Sequence, residues 1–163
     1  MLVGGFDAEY GGRNSSILNI TTREGHQSEV HGEFWPSTSG ISGAIEFPVK
    51  KNATALLSGR LISDPAYRVL MNSPNLMGDF VGSYLSKIGR TQLRLTAFYA
   101  RDYLDYSLDN LMLYFPYDFY ENYQEGLITN TENRAVGIQT HTLIRTNILL
   151  ETHFFHSGSR ADN

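Results

Sequence analysis

The 163 residues contain no cysteine. Disulfide scaffolds, thiolate zinc sites and cysteine nucleophiles are excluded together. Charge is sparse: 18% of residues carry it, and 13 basic side chains face 17 acidic ones for a formal net charge of −4. Nucleic-acid binders need a basic face, so no nucleic acid is expected as a partner. No stretch approaches the ~18 consecutive apolar residues of a transmembrane helix. Transmembrane strands stay open, because their apolar positions alternate and never form a run. The first residues show no basic region, no apolar core and no small-residue cleavage site of a signal peptide. Either the protein is cytoplasmic or Met1 is not the start of its gene.

What is present favours strands. Ten Tyr, nine Phe and fifteen Gly accompany many Thr, Ser and Asn. Aromatic and β-branched residues suit strands, while Gly, Asn and Ser suit turns. Apolar residues recur with period two over 40–47, 53–62, 92–101, 134–145 and 147–157. Residues 27–35 and 78–87 fit less cleanly, and 15–23 forms a short leading strand. The expectation is one short strand followed by about seven of roughly ten residues, long enough to cross a bilayer when tilted. Ile41 and Ile45, Leu57 and Leu61, Leu93 and Leu95, and Val136 and Ile138 should share one face and meet lipid. Arg60, Arg94 and Gln139 should lie on the other.

Tight turns are expected at 48–52, 88–90 and 146–147, with long connections at 64–77 and 103–133. Short and long links alternate, which gathers the long loops at one end of the sheet. Transmembrane barrels do this. The link near Pro36 is the exception, short yet on the long-loop side. A soluble β-sandwich, holding a sugar or protein partner through a Tyr-rich loop, is the alternative reading.

Residues 4–25 are the most specific stretch. Ala8-Glu9-Tyr10-Gly11-Gly12-Arg13 and Ser15-Ser16-Ile17-Leu18 closely resemble, position by position, the end of the plug domain in TonB-dependent outer-membrane receptors, with Asn19 where many members have Asp. Weaker likenesses follow at 45–52, where Phe47 replaces the family's usual Gly, at 58–60 and at 97–102. The resemblance implies an all-β chain. Residues 1–25 would be the C-terminal end of the plug and 26–163 the first strands of an incomplete barrel of about 22 strands. It also implies a Gram-negative outer-membrane location and import of a nutrient bound at the cell surface. Outer-membrane lipid and TonB would be partners, TonB acting through a part of the receptor outside this chain. Glu9, Tyr10, Gly11, Gly12 and Arg13 would be the plug-motif residues.

No catalytic constellation accompanies it. Ser39-Gly40-Ile41-Ser42-Gly43 misses the nucleophile-elbow spacing, and no phosphate loop or dinucleotide fingerprint occurs. Neither an enzyme, a cofactor nor a metal site is expected. His153 and His156, three apart on a strand, fall on opposite faces. Asp102, Asp105 and Asp109 lack the spacing of a calcium loop. The 103–133 connection has a ligand-like composition. Tyr106, Tyr114, Tyr117 and Tyr120 are its candidate ligand contacts, each offering a flat face and a hydroxyl.

Overall fold

In the computed structural model of the chain, the described residues are 2–3, 16–17, 23–63, 65, 75–106 and 127–162. The motif residues Glu9, Tyr10, Gly11, Gly12 and Arg13 lie outside them, as do Tyr114, Tyr117 and Tyr120. Two short strands, β1 (Leu2–Val3) and β2 (Ser16–Ile17), pair antiparallel.

The seven long strands are β3 (His31–Ser37), β4 (Gly40–Lys50), β5 (Ala53–Ile62), β6 (Leu76–Ile88), β7 (Thr91–Tyr106), β8 (Leu127–Arg145) and β9 (Ile148–Asp162). They form one antiparallel sheet in chain order, with β3 and β9 at its two edges. The expected all-β fold is present, and the sheet is an open meander.

Strand existence follows from the alternation, and the turns from local chemistry. Gly89 has φ +60°, a conformation glycine adopts without steric cost, and it opens the two-residue turn between β6 and β7. Turns of two residues also join β3 to β4, β4 to β5 and β8 to β9. Short turns at 51–52, 89–90 and 146–147 lie at one end of the sheet. The strand ends that bound 63–75 and 107–126 lie at the other, together with the short link at 38–39. The expected alternation of links is present.

Boundaries differ in three places. β3 begins later than expected and includes Pro36, paired with Ile41. Proline has no N–H to donate, and an edge strand tolerates that. Pro48 also lies in a strand instead of a turn, in β4 beyond the last residue that β3 covers, where the register with β5 shifts. β7 and β8 run on to Tyr106 and back from Leu127, so the expected 103–133 loop shrinks to 107–126.

Little of the sheet is buried. Among the described residues, Ala53, Leu56 and Leu85 are the buried hydrophobics, and Glu46, Thr54, Ser83 and Ser86 the buried polar ones. Large apolar side chains such as Phe34, Ile45, Val136 and Phe154 stand exposed. A single sheet has two faces and buries few residues unless other elements cover them.

Candidate functional site

The register sorts side chains onto two chemically distinct faces. On one, Ile45 pairs with Leu57, Leu57 with Gly82, Gly82 with Ala97 and Ala97 with Val136. The next row runs Phe47, Ala55, Tyr84, Leu95, Ile138 and Phe154. Side chains alternate across a strand, so every residue of these rows points to the same side. The four aliphatic pairs expected to share a face do so. Gly82 and Ala97 give no bulk at the centre, leaving an apolar depression of about 430 Å³ between Leu57, Tyr84, Leu95, Val136 and Phe154.

This apolar band is oblique. On β4 and β5 it reaches the row of Ile41 and Leu61. Two strands further along, that row holds Arg101, then Glu132 and Arg160. On β9 the apolar positions sit lower, at Leu150 and Phe154. An apolar belt that slopes across the strands is what strands tilted to the belt require.

The opposite face is polar. Arg60 Nε and Nη2 donate to Asp79 Oδ2 at 2.7 and 2.6 Å. Arg94 pairs with Gln139 in the register, and Gln139 with His153. His141 Nδ1 lies 3.0 Å from Glu151 Oε1. The expected placement of Arg60, Arg94 and Gln139 opposite the aliphatic pairs holds. His153 lies on this face and His156 on the apolar one, since their partners are Gln139 and Val136.

The chain entering the sheet lies against the polar face. Arg23 pairs with Glu46 and, at 3.9 Å, with Glu33. Gln92 Nε2 donates to Glu24 Oε1 at 3.2 Å, and Arg94 lies 3.9 Å from the same carboxylate. Gly25 packs where a Cβ would stand 2.5 Å from the carbonyl oxygen of Ala55. Three consecutive residues thus touch β3, β4, β5 and β7. Beneath them sits the buried patch of Glu46, Thr54, Leu56 and Leu85. Beside it a cavity of about 600 Å³ opens between Arg23, Glu33, Trp35, Ser58, Arg60 and Asp79. It offers guanidinium, carboxylate and indole surface to a polar segment or ligand. Among the described residues, no histidine lines it.

Of the four candidate ligand tyrosines, Tyr106 closes β7, paired with Leu127. Its side chain, like Tyr114, Tyr117 and Tyr120, is outside the description. One cluster escaped the sequence reading. His26, Glu29 and His31 come together at the bend before β3, with His31 Nε2 3.1 Å from Glu29 Oε1. That hydrogen bond, with the charges of His31 and His26, holds the Glu29 carboxyl below the ordinary glutamate range. Its signal is the spacing His-x-x-Glu-x-His, visible once 27–29 is read as a bend rather than a strand.

Comparison with protein-family models, curated proteins and solved structures finds no match for this chain.

Proposed function

We propose that the chain is part of a TonB-dependent outer-membrane receptor that imports a nutrient bound at the cell surface. Residues 1–25 close its plug, and 26–163 supply the first strands of its barrel. One observation carries this reading. A sloping apolar belt covers one face of a meander, while the segment preceding the sheet lies against the polar face. A barrel with a plug in its lumen calls for lipid outside, polar residues inside, and a plug joined to the first strand from within. The plug phrase at 4–25 supports the same reading. So do the two-residue turns at one end and the longer links at the other.

The open edges bear on it too. In hydrocarbon, an unpaired backbone N–H or C=O costs several kcal/mol. β9 is 15 residues long and has a strand on one side only. On the order of ten such groups would exceed the roughly 5–15 kcal/mol that stabilises a domain. In a membrane, further strands must therefore continue from β9 and return to β3. TonB would act through the plug, and no covalent chemistry is required.

An immunoblot of fractionated native cells, with antibody raised against residues 103–133, tests this. The receptor reading expects a heat-modifiable outer-membrane band several times larger than 18.3 kDa. A single soluble band at the chain's own mass would replace it with the independent binding module.

A further inference from the structure

The bend that leads into β3 carries chemistry that the apolar belt and its polar reverse do not use. His26, Glu29 and His31 each present one donor atom, and the three atoms lie within 4.8 Å of one another. The two imidazoles stack with centroids 4.0 Å apart and planes 23° from parallel. His31 Nε2 and Glu29 Oε1 are already 3.1 Å apart. We propose that His26, Glu29 and His31 form a binding site for a divalent transition-metal cation such as zinc.

The donor set selects the ion class. Two imidazole nitrogens and one carboxylate oxygen suit the borderline cations of the first transition row. Calcium and magnesium favour all-oxygen shells and are poor matches. Zinc binds these donors at ~2.0–2.2 Å in a tetrahedron, which sets neighbouring ligand atoms roughly 3.3 Å apart. The His31–Glu29 pair has that spacing. His26 has at most 4.8 Å to close from, within reach of side-chain rotation. Three protein ligands leave a fourth position for water.

The backbone holds the ligands in place from both sides. Gly25 is fitted against the β5 backbone, and His31 is already in β3, paired with Glu46. Between them residues 27–29 bend, which returns His26 towards His31. The Glu29 N–H approaches His26 Nδ1 at 3.3 Å, and Ser28 Oγ lies 3.4 Å from the same atom. The neighbouring carboxylates Glu33 and Glu46 face Arg23, whereas Glu29 faces the imidazoles. A cation there clips the entering segment to the first strand of the sheet. The site stands whether or not the receptor reading does, because it uses residues 26–31 alone.

The test titrates with zinc chloride, by calorimetry, the whole protein in which the immunoblot finds these residues, purified intact and with its strand content verified by far-UV circular dichroism. Magnesium chloride is the control. The expected result is a single zinc per chain, no magnesium uptake, and ring-proton NMR shifts at His26 and His31 but not at His141, His153 or His156. His31→Ala and Glu29→Gln should each weaken zinc binding by about tenfold or more, the lower bound being what even outer-shell partners contribute. All three ligands are at least partly exposed, and only His31, the first residue of β3, lies in a strand, so these variants should keep the strand signal. No zinc uptake by the folded chain overturns the proposal. So does uptake that survives the His26→Ala/His31→Ala double variant.

Discussion

Arginine at Leu95 separates a lipid-facing band from a water-facing one. Leu95 lies four residues into β7, which begins at Thr91 after the two-residue turn. Four residues span ~14 Å along an antiparallel strand. With a tilt of ~40° this is ~10 Å along the membrane normal, close to the middle of an apolar band ~25 Å tall. Its cross-strand partners Tyr84 and Ile138 belong to the apolar row, so the new guanidinium finds no carboxylate there. At that depth Leu95→Arg should cost about 2–4 kcal/mol. That corresponds to roughly thirty- to seven-hundred-fold in the folding equilibrium. Thr96→Arg, one residue on, points to the polar face and should stay within about 0.5 kcal/mol of the parent. Both variants are built into the full-length protein that the immunoblot identifies, refolded into phosphatidylcholine vesicles and unfolded with urea. Equal losses for the two variants, or no loss at Leu95, would refute the assignment of the apolar face to lipid.

Gly25→Ala should cost about 1–3 kcal/mol, because its Cβ meets the Ala55 backbone, which cannot yield as a flexible side chain would; limited proteolysis should then cut near residues 23–30 first. Arg23→Ala leaves the Glu46 carboxylate, 12% exposed, without its guanidinium, and should cost about 1–3 kcal/mol in urea unfolding. Arg60→Ala removes a more exposed pair with Asp79 and should cost less than about 1 kcal/mol in the same assay. Under the receptor reading, Tyr114→Ala combined with Tyr117→Ala in the full-length protein should weaken nutrient uptake; unchanged uptake would remove residues 107–126 from ligand contact.

The sheet was legible in the sequence where one face had to be apolar. Ile41 to Phe47, Ala55 to Leu61 and Leu93 to Tyr99 alternate because one side of each strand is greasy and the other is not. Strand ends were not legible where that contrast fades. Asp105 on β7, with Asn130, Thr131 and Glu132 on β8, lies where polar residues occupy both faces. These positions read as loop, yet they pair residue by residue, and Arg101 Nε donates to Asn130 Oδ1 at 3.0 Å. Backbone pairing satisfies the main chain whatever the side chains are. The His26, Glu29 and His31 cluster was hidden by a related error. Taken as strand from residue 27, the segment sets Glu29 and His31 on one face and leaves His26 out of reach. The bend at 27–29 reverses that.

The strand lengths themselves argue for a direction. β4 and β5, of 11 and 10 residues, match the ~9–11 that a tilted strand needs to cross a bilayer. β7, β8 and β9 have 16, 19 and 15. Most of the excess lies at one end, since at the other β8 overhangs the start of β7 only by Leu143–Arg145. It is also where the apolar face gives way to Arg101, Glu132 and Arg160. From Arg101 to Tyr106 the paired strands advance ~17 Å beyond that boundary. The 107–126 connection therefore starts well clear of the apolar belt, on a ribbon stiffened by backbone pairing to its last residue. Under the receptor reading, the paired ends of β7 and β8 at Tyr106 and Leu127 stand clear of the membrane on the side where a nutrient arrives.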